Sequence, residues 1–294
     1  MTIIRKWLIP AAASILFITL NSCNTGEEPD KKEEMRDTVM VSDTNQAVEG
    51  DVSYTLPSTL QIANIFKKSG LRYYSGITNS VDNVNSYKAT SPGRQALLLG
   101  VYSADLSYCM LNKQSEECKK YFKACKELAG GLGLAQPFES VAKRMEKNLD
   151  NQDSLAMILV GIQMETDNIM QENNQEYLSV ISFTGAWIES MYIGVEVHSK
   201  EGNIQMTQKL VEQMGIAESI LKALRAHIKE DKAIERLVKY MSELNEIYNG
   251  FEVVKQIKAT DPDVIDPAKI QIGVKDLMSF ANKLESIREE IVKK

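Results

Sequence analysis

Apolar positions recur every three or four residues through most of the chain. Tyr74, Ile77, Val81 and Val84 make one such run, and Phe138, Val141, Met145 and Leu149 another. Ile220, Leu221, Leu224 and Ile228 follow, then Ile234, Leu237, Val238, Met241 and Leu244. The last run is Val274, Leu277, Met278, Ala281, Leu284, Ile287 and Ile291. Each is a stripe along one helical face, and no sustained alternation predicts a strand. Pro92-Gly93 breaks the chain before a helix over 94–111, while Gly133 and Gly215 follow helical runs as C-terminal glycines do. Asp266-Pro267 offers an N-cap followed by a first-turn proline, which opens the last helix. About ten to twelve helices with short connections predict antiparallel neighbours. The fold class is therefore all-α, an antiparallel helical-hairpin array or bundle.

A faint internal repeat sharpens this picture. Residues 124–134 align with 206–216, matching Leu128 with Leu210, Leu132 with Met214 and Gly133 with Gly215. Each segment follows an aromatic-rich helix, one holding Tyr102 and Tyr108, the other Trp187 and Tyr192. Recurring helical pairs resemble tetratricopeptide-type arrays. The full signature of that repeat does not fit in register, so the likeness is loose.

The beginning of the chain departs from the helical rhythm. Arg5 and Lys6 precede an apolar run from Trp7 to Leu20, which ends in small and polar residues. This is the layout of a secretory signal. The run is shorter than the roughly 20 residues that a bilayer-spanning helix needs, and it contains Pro10. Leu20-Asn21-Ser22-Cys23 resembles the lipobox of bacterial lipoproteins, with Asn21 an unusual occupant of its place. The resemblance implies cleavage after residue 22 and acylation of Cys23. Two or more acyl chains anchor a protein stably where one does not. The expected address is the bacterial cell envelope, lipid-anchored at the outer membrane, on either its periplasmic or its surface face.

Residues 23–52 read as the lipidated cysteine and a disordered acidic tether. They carry Gly26, Pro29 and a mixed-charge cluster from Glu27 to Asp37, with few large apolar residues to offset the entropy of ordering. Acids soon after the cysteine resemble the surface-export signal of Bacteroidota lipoproteins, and Asp37-Thr38-Val39 resembles the O-glycosylation site pattern of that group. Residues 53–294 then form a single helical domain, similar in general character to all-helical Bacteroidota lipoproteins.

Composition narrows the chemistry. The net charge is −6 and the basic residues are dispersed, which excludes a nucleic-acid face. Two histidines, His198 and His227, leave no HExxH zinc helix and little scope for a histidine-based triad. Neither a nucleophile elbow nor a phosphate loop occurs. Gly130-Gly131-Leu132-Gly133 ends a helix and lacks the strand context of a dinucleotide site. Asp261, Asp263 and Asp266 read as turn and cap residues, since a calcium loop needs more ligands at fixed spacing. No catalytic residue, metal site or cofactor is assigned.

Three cysteines remain after Cys23. Cys109 and Cys118 flank the polar break 112–115 almost symmetrically, so an antiparallel hairpin would bring them together and an oxidising compartment would permit a disulfide. The alternative is that all are buried packing residues. Asp105 and Glu189 are acids in otherwise apolar helical surroundings. With Trp187, Tyr102, Tyr108 and Tyr192 they make a candidate ligand pocket between helices. The same acids can also be hydrogen-bonded structural groups. Two functions follow from this reading. One is a non-catalytic, membrane-tethered scaffold or binding protein for a protein or envelope component. The other is a small-molecule or cation binder, enzymatic in its extreme form, that uses the pocket.

Overall fold

The computed structural model describes residues 58–260 and 270–293. The signal, Cys23, the tether and the aspartates at 261, 263 and 266 lie outside the described residues. The described chain holds twelve α-helices, one of them a single turn, with one 3-10 turn and no strand. The all-α helical array expected from periodicity is the observed fold.

Two helices form its axis. α3 (Pro92–Leu111) buries seventeen of its twenty residues. α7 (Glu176–Glu201) is long and apolar enough to cross a bilayer, but most of that apolar surface is buried inside the fold. A helix that is hydrophobic all round belongs in a core, and these two pack chiefly on each other. α1 (Thr59–Lys68) lies against both. α4 (Ser115–Gly131) folds back on α3, and α5 (Ala135–Lys147) and α6 (Gln152–Glu172) continue that side. α8 (Ile204–Met214), α9 (Ala217–Ala226) and α10 (Lys232–Gly250) pack around α7, followed by α11 (Glu252–Thr260). α12 (Val274–Val292) returns onto α7, α10 and α3. Between α1 and α3 run an irregular segment, the 3-10 turn Val81–Asn83 and the single-turn α2 (Val84–Tyr87).

Local chemistry fixes the helix ends. Ser91 caps α3 by accepting from the Arg94 amide, with Pro92 in the first turn. Ser58 and Gln61 form a reciprocal capping box on α1. The sequence signals hold unevenly elsewhere. Gly133 follows α4 in the left-handed region at φ +75°, whereas Gly215 has φ −61° at the α8 to α9 junction. The aligned glycines are therefore not equivalent. The aromatic-rich helices of the repeat, α3 and α7, face each other as a central pair. The last helix opens at Gly273-Val274, later than Asp266-Pro267 implied.

The α3–α7 approach depends on glycine. A β-carbon on Gly100 would stand 1.8 Å from the Ser182 carbonyl oxygen, and one on Gly185 would stand 2.2 Å from that of Leu97. Both contacts are with backbone, which cannot step aside. Gly161 on α6 is the opposite case, because a β-carbon there meets nothing within 4 Å. Alanine normally favours a helix interior over glycine by about 1 kcal/mol. Gly161→Ala should therefore stabilise by up to about that amount, while Gly100→Ala and Gly185→Ala should each destabilise by about 1–3 kcal/mol or more through overpacking. Urea denaturation of the three variants checks the opposite signs, and a stabilised Gly100→Ala would refute the close crossing.

Candidate functional site

Asp105 on α3 and Glu189 on α7 are both wholly buried. Arg288 of α12 reaches them from the far end of the chain. Its Nε donates to Glu189 Oε2 at 3.0 Å and its Nη2 to Glu189 Oε1 at 3.1 Å, a bidentate pairing. The same Nη2 donates to Asn79 Oδ1 at 2.7 Å. Asn79 in turn donates its backbone N–H, at 3.2 Å, and its Nδ2, at 2.9 Å, to Asp105 Oδ2. Asn79 thus relays between the arginine and the second acid. The guanidinium also lies over the Tyr192 ring, 4.2 Å from its centre.

One cation serves two carboxyl groups, and the environment divides them. Burial, reinforced by the Glu189 charge, raises the Asp105 pKa well above the carboxylate range, against the opposing donors of Asn79. Burial thus favours the neutral form of Asp105, while Arg288 is paired with Glu189. Burial works against the Arg288 cation, but the Glu189 charge and hydrogen bonds outweigh it and its pKa rises. Asp105 Oδ1 and Trp187 Nε1 are buried without a hydrogen-bond partner.

The sequence-derived tyrosines have structural work in the same region. Tyr102 donates to the Ser80 carbonyl at 2.7 Å. Tyr108 donates to the Arg72 carbonyl at 2.8 Å and accepts from the Tyr74 amide at 2.7 Å. Tyr121 Oη lies 2.7 Å from both the Asn79 carbonyl and the Thr78 hydroxyl. Three phenols of α3 and α4 thereby hold the irregular segment over the acids. The structure brings Asp105, Glu189, Tyr102 and Tyr192 to one cluster and sets Tyr108 at the neighbouring end of the segment. Asn79 and Arg288 were missed, because sequence spacing gives no sign that a loop amide and a distant helix meet these acids.

That cluster is a closed core, and neither acid lines any of the clefts described here. Beneath α6 lies a cleft of about 500 Å³ whose walls include Leu60, Leu99, Phe138, Ile162 and Phe183, with Asp167 and Glu176 as its charged groups. A second, of about 550 Å³, lies where the starts of α3 and α10 meet the end of α12. Among the described residues no group of three or more His, Cys, Asp and Glu could hold a metal ion. His198 bonds the Asn203 carbonyl and the Thr207 hydroxyl near the end of α7.

α3 and α4, which carry the three cysteines, pack on each other. Ser103 Oγ lies 3.8 Å from Cys125 Sγ, and Cys118 contributes to the raised pKa of Cys109. The expected bond between Cys109 and Cys118 is not formed, however, and all three cysteines are buried free thiols. Burial raises Cys118 and Cys125 to about 12 and Cys109 further still, so they are protonated packing groups at neutral pH.

No protein-family model, curated protein or solved structure matches the chain.

The raised Asp105 pKa gives a pH signature. An acid whose folded pKa exceeds its unfolded value contributes stability that is complete below about pH 4 and is lost as pH rises through the folded pKa. Asp105→Asn keeps the shape and neutrality of the protonated acid. Its melting temperature relative to wild type should therefore rise with pH between about 4 and 8. A variant that loses ground over that range would mean that Asp105 is ionised in the fold.

Proposed function

We propose that this chain is a lipid-anchored, non-catalytic binding protein of the bacterial cell envelope that holds a protein or envelope component on the flank of α6. The lipobox-like Leu20-Asn21-Ser22-Cys23 supports the anchor, and the tether composition supports a spacer that lifts the domain off the membrane. The observation that carries the binding role is an unpartnered apolar stripe. On α6, Met157 is 74 % exposed, Val160 40 % and Met164 62 %. They fall at helical spacing on one face of α6, whose other side lines a cleft of mixed apolar and polar walls. Clustered apolar side chains of this kind mark interaction sites, whereas scattered single ones do not.

The alternative is a small molecule or cation held between helices by Asp105, Glu189, Trp187, Tyr102, Tyr108 and Tyr192. It has less support, because Arg288 already supplies positive charge to the acids. The cleft beneath α6, at about 500 Å³, falls within the volumes usual for small-ligand sites, which keeps a small ligand there as the second reading.

Photo-crosslinking in the native envelope tests the first reading. A benzophenone side chain at position 157 or 164 should give the same discrete adducts, and one at the exposed Lys239 of α10 should not. The adducts should disappear when Cys23→Ala releases the chain from the membrane. Equal labelling from all three positions, or a Cys23→Ala chain that stays membrane-bound, would refute it.

A further inference from the structure

Residues 148–199 contain eight acids (Asp150, Asp153, Glu165, Asp167, Glu172, Glu176, Glu189 and Glu196) and no lysine or arginine. This interval spans all of α6 and nearly all of α7. Inside the fold, Glu189 is answered by Arg288. On the surface of α6 no comparable answer exists. Among the described residues, Asp153, Glu165 and Glu172 form no ion pair.

These acids bracket the apolar stripe. Asp153 stands one helical turn before Met157, Glu165 one turn after Gly161, and Glu172 two turns after Met164. The cleft at the side of α6, walled by apolar and polar side chains alike, has acids alone, Asp167 and Glu176, as its charged groups. Gly161 adds a feature that the fold itself does not use. It occupies the middle of the stripe, and its β-face is open. In α3 and α7, glycines stand where another helix comes to backbone contact.

From this charge pattern we infer that the α6 flank binds a basic amphipathic helix of a partner protein. The partner's apolar face covers Met157, Val160 and Met164, and its flanking lysines or arginines meet Asp153, Glu165 and Glu172. Helix-on-groove recognition of this type rests on apolar anchors at i, i+3/i+4 and i+7, and opposite rim charges set orientation and partner choice. Methionines suit such a face, because their unbranched side chains adapt to varied partners. The same charges argue against other occupants. An anionic lipid surface would be repelled, and a second copy docking through the same face would set one acidic rim against another. The inference rests on the α6 flank being the binding surface, and it adds the chemistry of what binds there.

The test uses the full chain in phosphatidylcholine nanodiscs, with empty discs subtracted, and fluorescence anisotropy of two labelled 18-residue helical peptides. One is an amphipathic leucine–lysine sequence, the other the same pattern with glutamate for lysine. The leucine–lysine peptide should bind saturably and the leucine–glutamate peptide should not. Asp153→Asn, Glu165→Gln and Glu172→Gln together should weaken binding about tenfold and flatten its salt dependence. Met157→Ser with Met164→Ser should abolish it, while Glu252→Gln on α11 should change nothing. Equal binding of the two peptides, or indifference to the triple substitution, overturns the basic partner but leaves the α6 flank as a binding surface. Binding of neither peptide, or binding that survives the methionine changes, overturns both.

Discussion

The bundle is organised by the burial of two carboxyl groups at the contact of its central helices. α3 and α7 approach so closely at Gly100 and Gly185 that their backbones touch. Asp105 and Glu189 project into the same sealed interface. Two ionised acids in that setting would repel each other and lack hydration, at a cost of several kcal/mol each. The fold meets the problem by an environment that favours the neutral form of Asp105 and by pairing Glu189 with Arg288. Pairing requires Arg288, which lies on the last helix, so α12 must return to the core before the charge is satisfied. Asn79 must sit between them, and the phenols of Tyr102, Tyr108 and Tyr121 hold its segment in place. Chain elements from the first described helices to the last are thereby tied at one point.

This arrangement keeps the groups that hold the fold apart from the exposed apolar stripe of α6. The residues with the most conspicuous chemistry are sealed inside, and their hydrogen bonds are used on one another. What faces outward on α6 is plain by comparison, an apolar stripe with an acidic border and no basic neighbour in its own sequence. On the binding role proposed above, such a division is useful. The partner surface can change by substitution at exposed positions, which rarely alter stability by more than about 0.5 kcal/mol, while the buried cluster keeps the fold intact.

Periodicity made the helices legible, since a 3.6-residue repeat of apolar positions is imposed by the geometry of burial itself. Boundaries marked by local chemistry, such as Ser91-Pro92, were legible for the same reason. Asp105 and Glu189 were conspicuous because acids in apolar runs demand an explanation. Their partners were not, because Asn79 and Arg288 are joined to them by tertiary contacts that no spacing encodes. The aligned Gly133 and Gly215 misled, for sequence records the residue and not its φ. Cys109 and Cys118 lie on the packed helices α3 and α4, yet both are free thiols, because spacing in sequence does not encode the geometry a disulfide needs. The α6 stripe escaped notice because in sequence its methionines look like core; only exposure distinguishes them.

The central claim is that the acidic cluster is an internal lock closed by Arg288. A double-mutant cycle tests it directly, with Glu189→Met, Arg288→Met and the double variant unfolded in urea. Each single change leaves one unpaired charge in the core and should cost about 3–5 kcal/mol. The double variant leaves none, so it should be markedly more stable than the sum of the two losses implies, with a coupling of more than about 2 kcal/mol. Additive losses, or single variants as stable as the parent, would contradict the account.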